Sequence, residues 1–205
     1  LQLFYRTAFF VAGLALLALG ISLSIISELG SGAWDALNVG LSKTVGFTTG
    51  NWVIMVGVIL IAVNSFLLKR RPEVLAIITL FLIGFLIDFW MMKVLDGIDP
   101  STFGERIGIF AVSLLIMGAG LAIYITAKFP LSPIDNLMIA LKERLGVSLG
   151  VAKTIGEATA FVGALLLGGP IGLGTIIVTF GIGPLISLFI PYTERLLAAL
   201  SAKQS

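Results

Sequence analysis

The sequence predicts an all-α polytopic membrane protein, with six transmembrane helices as two inverted three-helix repeats, each carrying a short non-spanning helix after its first span. Three observations carry that prediction. Hydrophobic residues make up 58% of the 205 and charged residues only 12%, with a mean hydropathy of +1.12, a balance that soluble domains do not keep. Six stretches are long and apolar enough to cross about 30 Å of hydrocarbon at about 1.5 Å per residue. One motif also stands twice, as Leu29-Gly30-Ser31-Gly32-Ala33-Trp34-Asp35-Ala36-Leu37 and as Phe129-Pro130-Leu131-Ser132-Pro133-Ile134-Asp135-Asn136-Leu137, at an offset of 100 residues.

In chain order the spans are expected at about Ala8–Ser27, Gly50–Leu68, Pro72–Met92, Ile107–Ala127, Leu149–Gly168 and Ile171–Ile190. The first run is long enough to span, so no cleavable signal peptide is expected. Ala33–Val45 and Ile134–Leu145 read as short helices that reach only about 20 Å and cannot span. The repeat pairs Gly20 with Gly120, Leu41 with Leu141, Gly46 with Gly146, Thr48 with Ser148 and Gly50 with Gly150. After one deletion it resumes at an offset of 99, where Ile83-Gly84 matches Ile182-Gly183. The whole chain reads as a single membrane domain, 1–205, with one repeat at about 8–95 and the other at about 107–190. An amphipathic tail, Pro191–Ser205, is expected along the inner surface, with Tyr192, Leu196, Leu197 and Leu200 opposed to Glu194, Arg195 and Lys203.

Loop charges set the orientation. With the N-terminus in the cytoplasm, ten cations fall inside (Arg6, Lys69, Arg70, Arg71, Lys128, Lys142, Arg144, Lys153, Arg195, Lys203) and three outside (Lys43, Lys93, Arg106). That is a strong positive-inside bias, so both termini are expected in the cytoplasm. Three spans per repeat is an odd number, so the second copy enters the membrane upside down, about a pseudo-two-fold axis in the membrane plane.

The duplicated motif is a helix start. Ser132 can cap the helix, Pro133 takes the first position where its missing N–H is harmless, and Asp135 two residues on can reach back to the cap. Gly32 replaces the cap in the first copy, and Asp35 keeps the acidic position. Gly46 and Gly146 close the short helices in the left-handed conformation, and Thr48 and Ser148 can cap the spans that follow. On the plain alternative, Asp35 and Asp135 only cap. On the sharper reading, the short helices are half-helices aimed at a central site. Each N-terminus already bears a carboxylate, which argues against an anionic solute and for a cationic or zwitterionic one. Lys128 and the Lys142-Glu143-Arg144 run place both ends of the second short helix near water, the pattern of a helix lying flat.

Glu157 stands about 12 Å into the fifth span, near the bilayer middle. A charge at that depth is a functional candidate by default. Lys153, one turn earlier, can touch it or snorkel to the surface. Asp88 lies near the outer end of the third span, within reach of headgroups, and Asn64 reads as an interhelical hydrogen bond. Ala152, Gly156, Ala160, Ala164 and Gly168 form a close-packing stripe, while Pro184 and its neighbouring glycines make the sixth span bendable. There is no Cys and no His, which removes thiol chemistry, Cys/His metal sites and His-based acid–base work. No enzyme is expected, since without His or Cys the usual nucleophile–base pairs are absent. No metal, cofactor or nucleic-acid partner is expected either.

The repeated L-G-x-x-x-W-D and F-P-L-S-P-I-D pattern, the six spans and the glycine after each short helix resemble the YczE/YyaS/YitT family of bacterial integral membrane proteins. The resemblance implies a bacterial inner-membrane protein suspected of transport. The expected function is a small secondary transporter or exporter with a site near the bilayer midplane. Its candidate substrate-binding residues are Glu157, Asp35, Asp135, Trp34 and Asn136, with Ser132, Pro133, Gly46, Gly146, Gly156 and Pro184 in structural roles. The alternative is a membrane-embedded substrate-binding or regulatory subunit, resembling that of an energy-coupling-factor importer, with Ala8 and Ala12 read as its coupling motif. The partners implied are the lipid bilayer and a small solute, and six short spans leave room for a homodimer.

Overall fold

The computed structural model describes residues 2–130 and 132–202; Leu1, Leu131 and residues 203–205, Lys203 of the charge count among them, lie outside these. The described residues form helices α1 (Gln2–Ile26), α2 (Ala33–Val45), α3 (Thr49–Leu68), α4 (Ala76–Phe89), α5 (Phe103–Thr126), α6 (Pro133–Leu145), α7 (Leu149–Leu166) and α8 (Leu173–Ala202). A π-helical turn, Trp90–Val94, extends α4. Six of these helices are long and apolar enough to cross a membrane; α2 and α6 are not among them. The short helices begin where the motif predicts. Ser132 accepts from the Asp135 N–H, Pro133 opens α6, and Gly146 ends it at φ 67°. Gly46 follows α2 at φ 98°, and its N–H reaches the Ser42 carbonyl at 3.1 Å. Thr48 and Ser148 cap α3 and α7 in the same way.

The chain gathers into two compact units, and each draws on both copies of the repeat. One holds α1, the π-helical turn, α5 and α8; the other holds α2, α3, α4 up to Asp88, α6 and α7.

In the first unit α1 and α5 pack backbone to backbone, because glycines remove the side chains between them. A Cβ on Gly20 would fall 2.8 Å from the Met117 nitrogen, and one on Gly120 would fall 2.5 Å from the Leu17 nitrogen. Positions 20 and 120 are repeat partners, as are 17 and 117, so the two contacts are equivalent. α8 packs on α5, and its Gly174 N–H donates to the Leu29 carbonyl at 2.8 Å. The Trp90 indole donates to the Ala15 carbonyl at 3.0 Å. α8 differs from the expectation at its far end. It runs through Pro184 and Pro191 without ending, so residues 191–202 continue α8. A proline within a helix forfeits one hydrogen bond, whereas breaking the helix in an apolar setting would strand several. Thr193 also anchors that turn, its hydroxyl 2.8 Å from that of Thr126 on α5.

In the second unit the partners are exchanged between copies: α2 packs on α3 and α7, and α6 packs on α7 and α3. Interchanging the copies maps that set of contacts onto itself. The α7 stripe is as expected, with Ala152, Gly156, Ala160 and Ala164 all buried. α3 and α4 meet along a glycine seam. A Cβ on Gly50 would collide with the Gly84 carbonyl, and one on Gly57 with the Leu80 side chain. Asp88 does not reach for headgroups. Its carboxylate accepts from the Gly50 N–H at 2.8 Å and the Thr48 hydroxyl at 2.5 Å, clasping the start of α3.

Candidate functional site

The helix starts decide which side chains meet. α2 begins at Ala33 and α6 at Pro133, so Trp34 and Ile134 hold the second helical position and Asp35 and Asp135 the third. On α7, Ala152, Lys153, Gly156 and Glu157 share one face, as residues four apart do. These first turns and this face border one partly open cavity, lined by Trp34, Ile134, Asp135, Leu137, Met138, Ala152, Lys153, Gly156 and Glu157. Its floor is firm: Trp34 and Leu137 belong to a buried cluster with Ala33, Leu60 and Ala160. Gly156 keeps the α7 wall low; a Cβ added there would lie 3.7 Å from the Leu137 side chain.

The cavity is acidic. Asp135 and Glu157 line it, and the Glu157 carboxylate acts electrostatically on Asp35. Burial and then Glu157 push the Asp35 carboxyl from its ordinary 3.8 up to about 7. Burial also raises Asp135, but the Ser132 hydroxyl bonded to it at 3.0 Å and the Lys153 ammonium both oppose the rise. Lys153 and Glu157 share the cavity without an ion pair; among the described residues the ion pairs are Arg70–Glu143 at 3.2 Å and Arg106–Glu28 at 2.8 Å. No group of three or more His, Cys, Asp or Glu among the described residues could hold a metal ion.

Asn64 on α3 holds the start of α6: its amide donates to the Pro133 carbonyl at 2.8 Å and is buried there. This is the interhelical bond expected of it. The structure thus brings Trp34, Asp135 and Glu157 to one cavity and sets Asp35 beside it. Asn136 is elsewhere. Its amide donates to Glu73 at 2.7 Å in an exposed contact, because it follows Asp135 by one residue and so leaves the helix about 100° round. Met138, one turn on from Asp135, went unremarked in the sequence, although helical spacing alone puts it beside that residue; Leu137 figured there only as part of the motif. Pro184 lies inside α8 in the other unit, and Gly46 and Gly146 stand at the far ends of the short helices.

Residues 4–191 match a family described as a family of unknown function, DUF6198. The chain is 37% identical over 183 residues to the uncharacterized protein YyaS of Bacillus subtilis (strain 168), covering 89% of this chain and 91% of that one. It is 31% identical over 205 residues to the uncharacterized membrane protein YczE of the same organism, covering 100% of this chain and 94% of the other. An uncharacterized protein of Haemophilus influenzae is 27% identical over 195 residues, covering 94% of this chain and 87% of that one. No solved structure matches the chain.

Proposed function

The chain belongs to the DUF6198 family of membrane proteins, and on that premise we propose that it is a small secondary transporter or exporter of a cationic or zwitterionic solute. The observation that carries the reading is the cavity in which Trp34, Asp135, Glu157 and Lys153 meet, with Asp35 beside it. Three carboxylates against one ammonium favour positive charge in the solute. The indole of Trp34 adds a face on which a cation is held by the ring quadrupole. Lys153 among the acids suits a solute that carries a carboxylate as well as an amine.

In this reading α2 and α6 are half-helices whose first turns frame a site near the bilayer midplane, and the two copies are inverted in a bacterial inner membrane with both termini cytoplasmic. Protonation of the acids and occupation by the solute compete for the same charge. A solute entering as a cation displaces a proton, and the proton returns when the solute leaves.

The test is a thermal-shift screen of the purified protein against organic cations, amino-acid-like zwitterions and organic anions, since a ligand that binds the native state raises its melting temperature. Cations or zwitterions are expected to raise it, and Glu157→Gln, which keeps shape but cannot ionise, to remove the effect. A shift produced only by anions, or a cation shift that Glu157→Gln leaves intact, would sink the reading.

A further inference from the structure

We infer that the basic end of the second unit, where the turn between α3 and α4 meets the end of α6, is a binding site for an anionic phospholipid headgroup. Two runs of charge make it: Lys69-Arg70-Arg71 after α3 and Lys142-Glu143-Arg144 at the end of α6. The fold ties them together. The Arg70 guanidinium lies 3.2 Å from the Glu143 carboxylate, and the Asn136 amide on α6 donates to Glu73 at 2.7 Å. The Ser65 hydroxyl, donating to the Arg70 carbonyl at 2.5 Å, holds the turn itself. Five cations thus stand against Glu73 and Glu143. Lys69, Arg71, Lys142 and Arg144 are exposed, with no ion pair among the described residues. A bound anion would relieve the mutual repulsion of that excess.

The level of the patch selects the anion. The stretches apolar enough to span end at Leu68 on α3 and begin at Ala76 on α4 and at Leu149 on α7, so both runs fall where hydrocarbon gives way to headgroups. Clusters of Lys and Arg directly beside a span gather anionic lipid. Phe66, Val74, Leu75 and Leu145 are exposed next to the cations in sequence, apolar surface that acyl chains cover and a water-soluble phosphate would not. The counterpart positions of the repeat lack the charge. Ser42-Lys43-Thr44 matches Lys142-Glu143-Arg144, and the turn after α7 is the uncharged Gly168-Gly169-Pro170. Both turns take the left-handed conformation, at φ 51° for Lys69 and 66° for Gly168. Glycine adopts it freely and lysine under strain, so a cation stands where the backbone alone would favour glycine. None of these residues lines the cavity, so the lipid site is independent of the transport reading.

The test is a lipid titration of the purified protein in detergent, read by its melting temperature. Phosphatidylglycerol should raise it saturably, while zwitterionic phosphatidylcholine and glycerol phosphate, the headgroup without chains, should not. Arg71→Gln and Arg144→Gln should each weaken the apparent affinity for phosphatidylglycerol by about fivefold. Lys43→Gln and Lys93→Gln remove exposed cations elsewhere in the chain and should leave that affinity unchanged. Each variant is read against its own melting temperature without lipid. An equal shift from phosphatidylcholine would overturn the proposal. So would an equal shift from glycerol phosphate, which would make the occupant a soluble anion. Equal weakening by the Lys43 and Lys93 variants would reduce the effect to net charge and overturn the site. An affinity that Arg71→Gln and Arg144→Gln leave intact would place the lipid elsewhere on the chain.

Discussion

Gly57 of α3 and Glu157 of α7 are partners in the repeat, and the two long helices part company there. On α3 the glycine makes a notch that Leu80 of α4 fills. On α7 the same position carries a carboxylate that borders the cavity. The neighbouring positions follow suit, with Val53 matched by Lys153, and Asn64, which ties down α6, matched by the buried Ala164 of the packing stripe. The lesson is a division of labour between two copies of one scaffold. The first copy uses its long helix to hold its neighbours in place, and the second presents Lys153 and Glu157 from the equivalent surface to the cavity. The division also argues that the acids at the short-helix starts serve differently, since both copies keep Asp but only α7 supplies Glu157.

The largest effect should come from forcing the second copy's residue on the first. Gly57→Glu would drive a carboxylate into the Leu80 notch, combining overpacking with an unpaired buried charge, at about 4 kcal/mol or more. Size-exclusion of the detergent-extracted protein should show no monodisperse peak. The reverse exchange, Glu157→Gly, removes a charge from a cavity edge and should cost only about 1 kcal/mol through helix propensity. Equal behaviour of the two exchanges would mean that the copies pack alike, and the comparison would break.

A smaller contrast tests the seam. Gly84→Ala sets a Cβ 2.6 Å from the Gly50 carbonyl, and the strain should lower stability by about 3 kcal/mol. Gly183→Ala meets open space and should be neutral or stabilising by up to about 1 kcal/mol, the helix preference of Ala over Gly. Melting temperatures in one detergent decide it. Smaller again is Asn64→Ala, which gives α3 the residue that α7 already has. It leaves the buried Pro133 carbonyl without its side-chain donor, at about 2 kcal/mol. A thermal shift by cations that survives Asn64→Ala unchanged would show that the start of α6 does not need that bond to hold Asp135 in place.

Much of this was legible in the sequence because it is written locally. Six spans follow from hydropathy over windows of about twenty residues. Ser132-Pro133-Ile134-Asp135 states its own helix start, and Gly146 its end. The α7 stripe shows as small residues at every fourth position. The repeat offset located the equivalent of each residue, and with it the prospect that Asp35 and Asp135 share a role. What the sequence did not disclose is long-range. Nothing near Asp88 says that it clasps the start of a helix 38 residues earlier, although Thr48-x-Gly50 at the matching end of the preceding span is the trace of it in hindsight. Asn136 looked as eligible as Asp135 because helix geometry sets the two about 100° apart without saying which of them faces α7. The passage of α8 through Pro191 depends on Thr126, far off in sequence, to which Thr193 is joined.

The smallest expected effect separates the two aspartates themselves. Asp35 is raised to about 7 by burial and by Glu157, whereas Asp135 is raised by burial but held back by Ser132 and Lys153. An acid whose folded pKa exceeds its unfolded value binds its proton more tightly when folded. Its contribution is therefore fully present below the unfolded value of 3.8 and is lost as the pH climbs through about 7. Between pH 5 and pH 8 the melting temperature of the native protein should fall. Asparagine cannot ionise and is itself well suited to a helix start, so Asp35→Asn should flatten the slope without unfolding the first turn of α2. Asp135→Asn should flatten it less, because two partners already favour its charged form. The difference between the two variants should amount to a few degrees at pH 8, where about 1 kcal/mol corresponds to some 2–4 °C in a chain of this size. Equal flattening would assign the two aspartates equal environments. The asymmetry between the copies would then rest on Glu157 and the glycine seam alone.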